Sequence, residues 1–197
     1  MKRRADRAHV VAGAAAAEST RSLVVWDPLV RILHWSLAVA VAFGWATTFW
    51  LGGWHRAVGW TALAIVVVRV VWGFIGPRRA RFASFVRGPS ATTRYARHVL
   101  AGDEPRHVGH NPLGGWMIVA LLVVVVALAF TGWLYGTERF WGDETVELVH
   151  LGLAWAIVAL VAGHVAGVVA AALRHRENLV AAMFDGRKRA PRDDDID

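Results

Sequence analysis

The stretch Glu147–Gly167, ELVHLGLAWAIVALVAGHVAG, is almost wholly apolar and still carries two histidines, His150 and His164, fourteen residues apart. An imidazole binds a metal ion through one ring nitrogen, or exchanges a proton near neutral pH. In apolar surroundings an unpartnered ring nitrogen is costly, so histidines in such a setting turn inward and serve a purpose. His34 in VRILHWSLAV and His55 in LGGWHRAVGW lie in comparable settings, and His110 sits at an edge in GHNPLGG. A single such residue is as readily a hydrogen-bonded core histidine; several at matched depths are not. His9, His98, His107 and His175 fall in tails or in a basic connection and read as solvated surface residues. One arginine, Arg69, interrupts the apolar run IVVVRVVWGF.

The elements that must position these residues are four apolar runs, about 29–49, 58–75, 113–135 and 148–173. Each is close to the ~20 residues a helix needs to cross a bilayer. The third and fourth contain no Asp, Glu, Lys or Arg, which argues against the runner-up, a very hydrophobic soluble bundle. The expected fold is an all-α integral membrane protein, a four-transmembrane-helix bundle. The net charge of +7 is not a nucleic-acid signal, because of where it lies. Every Lys and Arg except Arg56, Arg69 and Arg139 precedes or opens the first run, fills 77–107, or follows the fourth run. That asymmetry puts both termini and the basic loop 77–107 in the cytoplasm, and the 50–56 turn and 136–146 loop outside. Residues 1–22 read as a flexible cytoplasmic tail with too poor an apolar centre for a signal peptide. Residues 23–176 form the membrane domain. Residues 177–197, ending RKRAPRDDDID, read as a charged, disordered cytoplasmic tail. With no cysteine, disulfides, iron–sulfur clusters and covalently attached haem are excluded.

Depth follows from this topology. His55 and His150 sit at the outer ends of spans two and four. His34 lies about one and a half turns into span one, and His164 is roughly 21 Å deeper than His150 along span four at ~1.5 Å per residue. Fourteen residues is also about four turns less some 40°, so both span-four histidines look out from nearly one face. Two facing pairs result: His34 with His164 at the inner level, and His55 with His150 at the outer. Stacked imidazole pairs inside one bundle are what two bis-histidine haem b groups require. With both axial positions filled, such a haem relays single electrons. Arg69, fourteen residues after His55, falls at inner depth, where a haem propionate is a natural counter-ion and snorkelling to the interface is the alternative. Arg31, one turn before His34, is placed to act likewise or as an interfacial anchor. Gly44, Gly132, Gly152, Gly163 and Gly167 leave room for a flat macrocycle or for close helix contacts. Trp26, Trp50, Trp54, Trp116, Trp133 and Trp141 mark span ends as an aromatic belt, and Trp35 stands beside His34.

The segments VWDPLVRILHWSLAVAVAFGW, RVVWGFIGPRRARFASFV, GHNPLGGWMIVALL, FTGWLYG, ELVHLGLAWAIVALVAGHVAG and HRENLVAAMFDGRKR together resemble bacterial cytochrome b561 and the b-type cytochrome subunit of Ni/Fe-hydrogenases, over about residues 23–190. The resemblance implies a four-helix bundle in the bacterial cytoplasmic membrane, haem b bound by histidines, and exchange of electrons with quinone. It implies an inner haem held from spans one and four, and an outer haem held from spans two and four. His34, His55, His150 and His164 match those roles. It also sets GHNPLGG near the inner haem, where quinone is expected. There His110, Asn111 and Gly114 are the candidate contacts, with His110 able to pass a proton. Asn111 reads equally as a helix N-cap followed by Pro112.

The reading is a membrane-bound di-haem b-type cytochrome that moves electrons between an extracytoplasmic redox partner and the quinone pool of a respiratory chain. The partner would be a hydrogenase-like dehydrogenase or a diffusible cytochrome c. Two other readings stand beside it. One is a stand-alone superoxide:quinone oxidoreductase, with Arg56 and Arg139 steering the anion. The other is a haem-free transporter or scaffold, although a metal pathway would want deep carboxylates that this chain lacks.

Overall fold

The computed structural model describes residues 22–50, 52–191 and 195–196. The tail expected over 1–22 therefore lies outside the described residues, save Ser22. A short strand β1, Ser22–Val24, precedes the long helices α1, Pro28–Trp50, and α2, Gly52–Ile75. A 3₁₀ turn at Arg78–Ala80 and the helices α3, Phe82–Phe85, and α4, Pro89–Ala101, follow. The chain then forms α5, Pro112–Tyr135, and α6, Glu144–His175, and closes with α7, Leu179–Asp185, and strand β2, Arg187–Arg189. The helices α1, α2, α5 and α6 are long and apolar enough to cross a membrane.

Local chemistry sets the helix ends. The Val30 amide donates to Asp27 Oδ1 (3.1 Å) with Pro28 opening α1, and the Gly114 amide donates to Asn111 Oδ1 (2.7 Å) with Pro112 opening α5. The Val146 amide donates to Asp143 (3.0 Å), and α6 carries Glu144 and Glu147 in its first turn and Arg174 and His175 in its last, the polarity a helix dipole favours. These caps carry α6 beyond the expected 148–173 at both ends. Similarly α2 starts at Gly52 rather than at 58, because a helix can begin in polar surroundings where hydropathy gives no signal. The basic connection, expected as a loop, contains two helices, and α4 buries Tyr95.

The C-terminal segment corrects the expectation of a disordered tail. Strand β2 pairs antiparallel with β1, Leu23 opposite Lys188. The Val25 and Trp26 amides donate to the Gly186 carbonyl (2.9 and 3.1 Å). Gly186 has φ +81, and an added Cβ would sit 3.1 Å from the Trp26 carbonyl oxygen, so glycine is required twice over. This clasp ties the start of α1 to the segment that follows α7.

The close helix pairs are α1–α2, α5–α6 and α2–α5. Their shared core is Ala40, Ala62, Val66, Leu122, Val125 and Ile157. Ile157 lies seven residues from both His150 and His164, so it fills the middle of the bundle between them. Around this core Ile32, Val39, Val123, Phe130 and Val165 remain exposed, the lipid-facing surface of a membrane bundle.

Candidate functional site

Helix α6 presents its two histidines to different neighbours. The His164 ring faces His34 of α1 with 6.3 Å between ring centres, and the His150 ring faces His55 of α2 at 6.1 Å. The rings in each pair are inclined, at 54° and 78°. Two metal–imidazole bonds of about 2 Å, each continued by about 1 Å to the ring centre, sum to roughly 6 Å. Each pair is thus spaced to hold one metal ion from opposite sides. Neither α1–α6 nor α2–α6, the helix pairs that carry the facing histidines, is among the close pairs.

The ligand count narrows the metal. Among the described residues no group of three or more His, Cys, Asp or Glu could hold an ion. A bare zinc ion takes three or four protein ligands, so two imidazoles suit an iron whose other four donors arrive with a macrocycle.

Hydrogen bonds fix the state of the His55/His150 pair. His55 Nδ1 lies 3.1 Å from the Gly44 carbonyl oxygen, which only accepts, so this nitrogen carries the proton. Thr47 and Thr48 stand beside it at 3.3 and 3.4 Å. His150 Nδ1 lies 2.9 Å from Thr131 Oγ1, whose own hydrogen is directed at the Ala127 or Leu128 carbonyl (2.9 and 3.1 Å). Each Nε2 is left with its lone pair for a metal. Gly132 lets the His150 ring sit close, for an added Cβ would lie 3.3 Å from its Cε1. The other pair differs: His34 Nδ1 is buried and has no hydrogen-bond partner. Sequence reasoning missed Thr47 and Thr131. For Thr131 the available signal was a lone threonine in an otherwise apolar span; Thr47, beside Thr48 near a span end, gave none.

The expected counter-charges divide. Arg69 is buried, lies 5.0 Å over the Phe82 ring, and has an Nη1 with no hydrogen-bond partner, a donor that suits an anion such as a propionate. Arg31 instead donates from Nη1 to the Phe184 carbonyl, holding α1 to α7, while its Nε is buried and unpartnered. Trp35 meets the His34 ring edge-on at 5.0 Å, stacks on Phe184 at 4.3 Å and donates to the Met183 carbonyl (3.3 Å). Gly152 and Gly167 have nothing within 4 Å of an added Cβ, whereas Gly163 faces Met117.

His110 sits between Trp26 and Phe85, with ring centres at 4.5 and 4.6 Å. Burial, then the charges of Arg69 and Lys188, push its pKa from 6.5 down to about 3. The ring is neutral at physiological pH, so it exchanges hydrogen bonds and stores no proton. Asn111 Oδ1 and the Gly114 amide are committed to the α5 cap, which leaves the Asn111 amide nitrogen for other contacts. His107, expected at the surface, is half-buried against the Tyr95 ring at 5.1 Å.

An ionic knot backs this region. Arg106 donates Nη2 and Nε to the Glu177 carboxylate (2.8 and 3.3 Å) and Nη1 to Asp195 (2.5 Å). Lys188 donates to the Val108 and His107 carbonyls (3.0 and 3.3 Å) and lies 5.7 Å over the Trp26 ring that packs on His110. Burial alone would raise the Glu177 pKa; the Arg106 hydrogen bond and the Lys188 charge outweigh it and hold the carboxyl below its usual range.

Comparison with known proteins agrees with this arrangement. Residues 25–186 match the family described as prokaryotic cytochrome b561. A protein of Rhodobacter capsulatus named a probable Ni/Fe-hydrogenase B-type cytochrome subunit is 25% identical, over 85% of this chain and 81% of its own length. Proteins of the same name from Cupriavidus necator and Rhizobium leguminosarum are 25% and 24% identical, over 87% and 85% of this chain and 89% of each of their own. No solved structure matches. A match over four apolar spans and both histidine pairs leaves one assignment: the chain is a multi-pass bacterial membrane protein that belongs to the prokaryotic cytochrome b561 family, the b-type, electron-transferring cytochromes associated with hydrogenases.

Proposed function

We propose that the protein is a di-haem cytochrome that passes electrons between an extracytoplasmic redox protein and membrane quinone. The observation that carries this reading is the two facing imidazole pairs, 6.3 and 6.1 Å apart at opposite ends of one helix. Haem b would supply one-electron transfer. His34 and His164 would hold one group and His55 and His150 the other, while Ile157 and its neighbours fill the bundle between them. Arg69 would neutralise a propionate on the His34/His164 side, and Arg31 closes the same end through α7.

The distribution of Lys and Arg supports a cytoplasmic position for that end and for both termini. Quinone binds there, its carbonyl oxygen facing the neutral His110 ring and the Asn111 amide, in the region walled by Trp26 and Phe85. The relatives' shared name supports a hydrogenase-like partner at the opposite face. The test is haem content. His164→Ala and His150→Ala should each retain one haem per chain where the parent has two. Either variant keeping both haems overturns the ligand assignment.

A further inference from the structure

The two histidine pairs are alike in spacing and unlike in what holds them. The His55 and His150 Nδ1 atoms both have acceptors, the Gly44 carbonyl at 3.1 Å and the Thr131 hydroxyl at 2.9 Å. Thr131 cannot reverse its role while its hydrogen is committed to the Ala127 or Leu128 carbonyl. Thr47, wholly buried, braces the same Gly44 carbonyl from 2.9 Å. In contrast, His34 Nδ1 has no partner.

An imidazole that donates Nδ1–H to a strong acceptor becomes a more basic ligand through Nε2 and favours the more oxidised metal. An imidazole without that acceptor favours it less. Both effects act in one direction.

We propose that Thr131 and the Gly44 carbonyl are positioning groups that lower the reduction potential of the His55/His150 centre below that of the His34/His164 centre. This inference rests on the haem-binding reading above. Such a gradient would make transfer downhill toward the end that carries His110, the one electron lost by the first centre being gained by the second.

The test is a potentiometric titration of the purified holoprotein and of Thr131→Val and Thr131→Ser, with haem per chain measured first. The valine keeps the shape and removes the hydroxyl, leaving the Leu128 carbonyl as the remaining acceptor beside the ring; the serine restores the hydroxyl. With two haems retained, Thr131→Val should raise the lower midpoint potential and leave the upper one in place, and Thr131→Ser should return the parent value. Two haems with both midpoints unmoved, or with only the upper one moved, overturns the proposal. If Thr131→Val loses a haem, the order is read from single-haem variants. His164→Ala, which keeps the His55/His150 centre, must titrate below His150→Ala, and the reverse order overturns the proposal. Absence of haem from the parent protein instead refutes the cytochrome reading on which it stands.

Discussion

Replacing Arg106 by leucine should open the clasp between the chain ends without unfolding the bundle. The Arg106, Glu177 and Asp195 side chains are only 5%, 9% and 3% exposed, so removing the guanidinium leaves two buried carboxylates to the longer ion pairs with Lys188 and Arg189, each at 3.6 Å. Breaking a buried ion pair by removing one partner costs about 3–5 kcal/mol. At about 1.4 kcal/mol per factor of ten, the open population of the clasp rises roughly a hundred- to several-thousand-fold. The readout is hydrogen exchange at the Val25 and Trp26 amides, both bonded to the Gly186 carbonyl (2.9 and 3.1 Å), in the detergent-solubilised protein. Exchange there should accelerate by that factor while the middle of α6 stays protected. Adding Glu177→Gln and Asp195→Asn removes the under-compensated buried charges and should recover much of the loss. Acceleration below tenfold in the single variant, or no recovery in the triple, would show that the knot does not hold the clasp.

Acid should release the same clasp. Because the folded Glu177 pKa lies below its ordinary value of 4.5, the carboxylate contributes stability above that value and loses it as pH falls through the folded one. Exchange at Val25 and Trp26 should therefore rise only at acid pH, and a rise centred near neutrality would contradict the assignment. Gly115→Ala places a Cβ 2.6 Å from the Phe85 carbonyl oxygen, a backbone atom that yields only if α3 or α5 moves. It should lower thermal stability by about 1–3 kcal/mol. Gly53→Ala meets nothing within 4 Å and serves as a neutral control in the same melt. His110→Phe keeps an aromatic ring between Trp26 and Phe85 and removes both nitrogens. Haem content should be unchanged while quinone reoxidises the reduced protein about tenfold more slowly, the loss expected for one hydrogen bond. An unchanged rate would remove His110 from the quinone site.

Much of the architecture was legible because a bilayer imposes a single demand on its spans. Length and apolar composition marked α1, α2, α5 and α6, and the runs within α5 and α6 carry no charge at all. Counting residues set His150 and His164 on one face of α6 at two heights, opposite His55 and His34. What the sequence hid depends on contacts between distant segments. Arg106 meets Glu177 across 71 residues and Asp195 across 89, and no periodicity announces such a pairing. The charged C-terminal residues therefore read as disordered, although the structure buries Lys188 and Asp195. Arg31 was read from its distance to His34 along α1, yet the Phe184 carbonyl takes it. Thr131 gave little signal, because a helical threonine ordinarily satisfies itself on the preceding turn, as this one also does. Only its second contact, to His150, ties it to the site.

The most direct test of the account is a reduced-minus-oxidised spectrum of the purified, detergent-solubilised protein, with haem quantified per polypeptide as the pyridine haemochrome. The account predicts low-spin b-type bands and two haems per chain, one for each histidine pair. One haem would mean that one pair is not a ligand pair. A folded protein from haem-replete cells that carried no haem would contradict the cytochrome reading altogether.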